Sequence, residues 1–129
     1  MGSLAKSALS GRRILIVEDE FFLADDLTRI LNQRSAEVLG PVPTMAEALK
    51  VINDSERIDC AVLDVNLGGK FVFPISAALR DRNIPFLFAT GYASTQIPAE
   101  FDGVPRLEKP FVSSALVAAL EAIIQAPTP

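Results

Sequence analysis

Ile14-Leu15-Ile16-Val17-Glu18-Asp19-Glu20 is the stretch that decides the fold. Four apolar residues, three of them β-branched, stop abruptly at three acids, and a helical pattern takes over. Phe22, Leu23, Leu27, Ile30 and Leu31 then recur at three- and four-residue spacings, with Asp25, Asp26 and Arg29 between them. The reading is a buried strand followed at once by an amphipathic helix that ends near Gln33. The same alternation continues along the chain. Glu37-Val38-Leu39-Gly40 is a weaker strand closed by Gly40-Pro41, and Thr44, with Glu47 three residues later, caps a helix carrying Met45, Ala48, Leu49 and Ile52. A third strand, Ile58 to Leu63, ends at Asp64 before the turn-rich Asn66-Leu67-Gly68-Gly69-Lys70, and a helix starting at Phe71 or Pro74 returns to Arg82. Ile84 to Ala89 stops at Thr90-Gly91, and Val104 to Leu107 leads into Glu108-Lys109-Pro110. A last helix runs from Ser113 to Gln125, with Leu116, Leu120, Ile123 and Ile124 on one face. Strands read as continuous apolar runs alternating with helices predict an α/β fold: a parallel sheet of five βα units, covered on both faces.

Composition bounds the rest. The chain has 129 residues, half of them hydrophobic, which suits one domain with its own core. No apolar run approaches the roughly 20 residues of a membrane span, and the N-terminus lacks the order of a signal peptide, so a cytoplasmic protein is expected. The net charge is −4 and the twelve basic residues are scattered, which argues against direct nucleic-acid binding. Cys60 stands alone inside an apolar run and reads as a buried thiol. Histidine is absent, so imidazole-based triads and metal sites are excluded and the chemistry falls to carboxylates, hydroxyls and lysine. Met1 to Ser10 is expected to be a flexible N-terminus, with one domain over 11–126 and no output domain after it.

In open parallel sheets the ligand site lies outside the carboxyl ends of the strands. Glu18 and Asp19 end the first strand, Asp64 the third, Thr90 the fourth and Lys109 the fifth, so the topology gathers all five at one edge. Taken singly each has a plain structural explanation, such as a helix cap, a strand end or a solvated lysine. Together, at the ends of four separate apolar runs, they form a site. Three carboxylates repel one another unless a cation lies among them, and an oxygen-only set suits Mg²⁺ better than Zn²⁺. A carboxylate attacks a phosphoryl group once its oxygens are neutralised, which makes Asp64 the nucleophile, with Lys109 and Mg²⁺ offsetting the charge.

At Glu18-Asp19, Val62-Leu63-Asp64-Val65-Asn66-Leu67, Ala89-Thr90 and Glu108-Lys109-Pro110-Phe111 the sequence resembles the response-regulator receiver domains of two-component systems. The intervals of 45, 26 and 19 residues separating Asp19, Asp64, Thr90 and Lys109 are also similar to that family's. The resemblance implies a flavodoxin-like doubly wound (βα)5 fold with strand order 2-1-3-4-5. It implies that Asp64 accepts phosphate from a sensor histidine kinase or a phosphotransfer protein. Asp19, Asp64 and the backbone carbonyl of Asn66 would bind Mg²⁺, and Glu18 would hold the metal mainly through water. Thr90 would hydrogen-bond the phosphoryl oxygen and Lys109 would pair with it, the Lys109–Pro110 peptide would be cis, and Asn66 and Tyr92 would tune hydrolysis of the aspartyl phosphate.

The sequence departs from the family at Arg106, where many receivers carry an aromatic switch residue. Pro85-Phe86-Leu87-Phe88-Ala89-Thr90-Gly91-Tyr92 resembles the motif of a subgroup often paired with kinases of the HWE type, whose fourth helix is short or mobile. Gln96-Ile97-Pro98 and Gly103 agree, since Pro98 breaks any helix through that segment, and a short or disordered fourth helix is predicted. Tyr92, the sole tyrosine, is a candidate replacement switch beside the equally weighted reading of a loop aromatic. Two other functions compete. Haloacid-dehalogenase-type phosphatases share the aspartate nucleophile but need a second aspartate where Asn66 stands, and a pseudo-receiver would have lost a site residue.

Overall fold

The computed structural model describes residues 7–91 and 97–125. Strands β1 (Arg13–Val17), β2 (Glu37–Val42), β3 (Cys60–Asp64), β6 (Phe86–Thr90) and β7 (Arg106–Glu108) form one parallel sheet in the order β2-β1-β3-β6-β7. Two short strands, β4 (Asn66–Leu67) and β5 (Lys70–Phe71), pair antiparallel just beyond β3. Leaving that hairpin aside, the order is the 2-1-3-4-5 expected from the resemblance. Helices α1 (Phe21–Gln33) and α4 (Ser113–Gln125) cover one face of the sheet, and α2 (Met45–Asp54) and α3 (Phe73–Asp81) cover the other.

The side-chain period of two sorts each strand between the two layers. Leu15, Val17, Ala61, Leu63, Phe86 and Phe88 join the core under α2 and α3. Their alternates Ile14, Ile16, Cys60, Val62, Leu87 and Ala89 join the core under α1 and α4. Both sets are buried, which is why these strands read as unbroken apolar runs.

Helix ends follow the chain's own chemistry. The Thr44 hydroxyl accepts the Glu47 N–H at 3.2 Å, as the sequence predicts. α1 and α3 close with Ser35 and Asn83 in the left-handed region (φ 62 and 58), while Ala36 and Ile84 N–H bond back to Leu31 and Leu79 carbonyls at 3.1 and 2.9 Å. The Arg82 guanidinium reaches across to cap α2, donating to the carbonyls of Ile52, Ser55 and Glu56.

Two expectations need correction. β2 does not close at Gly40-Pro41 but runs to Val42 through a bulge, where the register on β1 shifts between Leu15 and Val17. It is the edge strand, where a residue without an N–H is tolerated. The turn-rich segment after Asp64 is an ordered hairpin, with Gly68 and Gly69 at φ 59 and 85 supplying a tight reversal open to glycine pairs. Of the first ten residues, 1–6 lie outside the described residues; Ser7 to Ser10 form a turn, Leu9 is fully buried against the α1/α4 core, and the Ser7 hydroxyl meets Glu121 at 3.3 Å. In place of a fourth helix between β6 and β7, the described residues hold one 3₁₀ turn, Ala99–Phe101, consistent with the shortening predicted from Pro98. Residues 92–96 of that segment, and Tyr92 with them, lie outside the described residues.

Candidate phosphoacceptor site

The topology brings the five predicted residues to the carboxyl edge. Glu18 and Asp19 follow β1, Asp64 and Thr90 are the last residues of β3 and β6, and Lys109 follows β7. Glu18, Asp64 and Thr90 are buried, whereas Asp19 is exposed at the rim. One carboxylate oxygen from each of Glu18, Asp19 and Asp64 lies within 4.8 Å of the other two.

Backbone bonds hold this arrangement. The Glu18 N–H donates to the Val42 carbonyl at 3.1 Å, so the bulged edge strand fixes the start of the loop. Glu18 Oε2 accepts the Glu20 N–H at 3.1 Å and thereby serves the entry of α1. On the far side the Lys109 N–H donates to the Thr90 carbonyl at 2.7 Å, next to the cis Lys109–Pro110 peptide that the resemblance implies. The hairpin contributes two donors: Asn66 N–H to Asp64 Oδ1 at 3.2 Å, and Gly68 N–H to Asp19 Oδ2 at 2.9 Å. Asn66 Oδ1 in turn accepts the Gly69 N–H at 2.9 Å. Sequence reasoning saw Gly68-Gly69 only as a turn; two glycines between Leu67 and Lys70 were the available signal for a hairpin that clasps the site.

The Lys109 ammonium is the electrostatic centre. Its Nζ donates to Glu18 Oε1 at 3.1 Å and to Asp64 Oδ2 at 3.2 Å. Burial pulls its pKa down, but the charges of Asp64 and Glu18 and their hydrogen bonds outweigh burial and raise it. Burial, then the hydrogen bond and like charge of Asp64, push Glu18 from 4.5 up to about 7, against the opposing pull of the Glu20 N–H and Lys109. Two carboxylates on one ammonium, with the Asp19 carboxylate close by, leave negative charge to be balanced, and their donor set is oxygen only. That chemistry fits a hard divalent cation.

At the position of the usual aromatic switch, Arg106 stands half-buried 3.9 Å from Asp102. Cys60 is fully buried in mid-sheet and burial pushes its thiol up to about 12, which makes it inert. Among the described residues no helix is long and apolar enough to cross a membrane.

No profile of a protein family matches the chain. Solved structures do. SdrG from Sphingomonas melonis Fr1 is 40% identical, with a TM-score of 0.78 over 90% of this chain and 98% of that one; its BeF3-activated conformation aligns with a TM-score of 0.75. A response regulator receiver protein from Sinorhizobium medicae WSM419 is 26% identical, with a TM-score of 0.77 over 92% and 98% of the two chains. The receiver domain of the sensor histidine kinase PA1611 from Pseudomonas aeruginosa PAO1 shares the fold at 22% identity (TM-score 0.79, covering 91% of this chain and all of that one), and has a magnesium ion in its active site cleft. The sensory transduction protein LytT of Bacillus subtilis is 32% identical over 103 residues, which are 77% of this chain and 42% of LytT. The chain spans 33% to 42% of the length of such curated relatives. With the strand order, the acidic edge and a 40% identical relative that it covers almost completely, the chain belongs to the response-regulator receiver domains of two-component systems.

Proposed function

We propose that this receiver domain is a phosphoacceptor that takes a phosphoryl group on Asp64 from the phosphohistidine of a sensor kinase or phosphotransfer protein. The observation that carries the reading is the Lys109 ammonium bridging Asp64 and Glu18 while Asp19 completes a triad of oxygens within 4.8 Å. A cation among the three carboxylates and an anionic group beside Lys109 would together balance the charge at this open end of the sheet.

In the transfer, an Asp64 oxygen bonds to phosphorus as the phosphorus–nitrogen bond breaks, and the imidazole leaves with the electron pair. Glu18, Asp19, Asp64 and the Asn66 carbonyl are the groups that would hold Mg²⁺, which when bound neutralises charge on the transferring oxygens. Lys109 then exchanges its bond to the Asp64 carboxylate for one to a phosphoryl oxygen, and Thr90, buried at the end of β6, supplies a hydroxyl to another. Phe21 and Phe22, 74% and 77% exposed, and Val112, 67% exposed, follow β1 and β7 at this edge and give a donor protein an apolar rim to seat on. The Pro85 to Tyr92 motif supports a kinase of the HWE type as that donor, acting in the cytoplasm.

The test is intact mass after incubation with Mg²⁺ and a small phosphoryl donor. A phosphate-sized gain that requires Mg²⁺ and is absent in Asp64→Asn is expected. Absence of any gain, with a small donor and with a competent histidine kinase, rejects the reading in favour of a pseudo-receiver.

A further inference from the structure

A column of aromatic rings leads away from the hairpin on a path that bypasses Arg106. Phe71, on β5, stacks on Phe73 with centroids 5.5 Å apart and planes 21° from parallel. Phe73, at the start of α3, stacks in turn on Phe101 at 5.8 Å and 17°. Phe88 of β6 meets both edge-on, at 6.0 Å from Phe73 and 6.1 Å from Phe101. Phe101 is the buried residue of the 3₁₀ turn that stands where a fourth helix was expected. Arg80 grips this end twice, with its guanidinium 4.6 Å over the Phe101 ring and a hydrogen bond of 3.0 Å to the Glu100 carbonyl.

The other end of the column touches the site through two bonds. Asn66 and Gly68 donate their N–H groups to Asp64 and Asp19, so where the hairpin lies sets how two of the three carboxylates are presented. A hairpin with two residues in each strand cannot hold itself in water. Its anchors are Leu67, buried in the α2/α3 core, the Val72 N–H on the Val65 carbonyl at 2.9 Å, and the stack of the half-exposed Phe71 on Phe73. Each contact lies within the separations at which aromatic pairs and cation–π contacts stabilise.

We propose that Phe71, Phe73 and Phe101, gripped by Arg80, are positioning residues for the acidic site and couple it to the 3₁₀ turn. Charge added or neutralised at Asp19 and Asp64 shifts the hairpin, and the stack carries that shift to Phe101; by linkage, whatever immobilises the 3₁₀ turn tightens the site. The inference deepens the phosphoacceptor reading and rests on it for the identity of the charge that arrives.

Arg80→Gln leaves the core intact because Arg80 is exposed, and Phe73→Leu removes the middle ring while keeping an apolar filler. Amide exchange of the full chain, measured first without metal, should become two- to tenfold faster at Asn66 and Gly68 in both variants, the range a single aromatic or cation–π contact spans. Amides of β2 should keep their protection. Mg²⁺ should bind two- to tenfold more weakly, and the Phe101 amide resonance, which should move on Mg²⁺ saturation of the native chain, should stop responding in the variants. Unchanged exchange at Asn66 and Gly68 in both variants overturns the proposal, as does a loss of protection spread equally over β2. Because exchange needs no metal, these outcomes stand even if the native chain takes up neither Mg²⁺ nor phosphate, a result that would reject only the phosphoacceptor reading.

Discussion

Strand β3 is bracketed by two aspartates of opposite character. Asp59, at its amino end, accepts the Arg13 N–H at 2.7 Å and lies 3.9 and 3.5 Å from the guanidinium groups of Arg12 and Arg57. Asp64, at its carboxyl end, shares a single ammonium with Glu18, and Asp19 lies close by. Their side chains are comparably buried, at 16% and 11% exposure. Burial therefore does not distinguish the two acids; the ratio of cations to carboxylates around each does. Asp59 has more positive charge than it needs, and Asp64 less.

The contrast is broken most severely by exchanging the two roles. Asp64→Asn should abolish the phosphate-sized mass gain altogether. Asp59→Ala should leave that gain in place but lower stability by about 1–3 kcal/mol, the cost of removing a charged acceptor from a buried donor, measured by urea unfolding. Loss of phosphate uptake in Asp59→Ala would mean that the two ends of β3 are not separable.

A second effect is expected from a divalent cation at the carboxyl edge. Mg²⁺ at a hundred times its dissociation constant should stabilise the native chain by about 2.7 kcal/mol through mass action. Asp19→Asn should reduce that gain and Asp59→Ala should not, as thermal unfolding with and without chelator would show.

The third effect is a pH slope. Folded Glu18 keeps its proton up to about pH 7, whereas the unfolded chain releases it near 4.5. The folded state therefore holds the extra proton in that interval, and stability of the metal-free chain falls as pH rises through it. The loss should be about 1–3 kcal/mol between pH 4.5 and 7, and Glu18→Gln should flatten it. Equal slopes in the two proteins would assign the charge strain elsewhere.

The smallest effect belongs to the amino edge. Ser35, held at φ 62 beside the Gly11 N–H, occupies a position that suits glycine. Ser35→Gly should stabilise by about 0.5–1 kcal/mol without altering Mg²⁺ affinity.

Legibility in the sequence followed the same division. The main strands and the convergence of the candidate residues could be read together because each buried parallel strand is a run of apolar residues, and the candidate groups sit where the run stops. Leu63-Asp64 and Ala89-Thr90 carry both signals in adjacent positions. What escaped has no period to read. β4 and β5 are two residues long, shorter than any alternation can register. Pro41 reads as a stop unless the strand is known to be an edge, which only the assembled sheet reveals. Leu9, with only Ala8 beside it between Ser7 and Ser10, carries no period, and its burial depends on a helix more than a hundred residues away, that of Leu116 and Leu120. The aromatic column was invisible for the same reason: Phe71, Phe73, Phe88 and Phe101 are neighbours only after the chain has closed.

The inert thiol in mid-sheet turns the chain into its own stopwatch. Cys60 is the sole cysteine, lies at the first position of β3 and is shielded from solvent. A thiol reagent added to native protein modifies it only during openings that expose that strand, so the labelling rate counts those openings directly. Since the same strand ends in Asp64, the change in that rate when phosphate or Mg²⁺ arrives would measure how firmly signalling chemistry clamps the centre of the sheet, with no introduced probe.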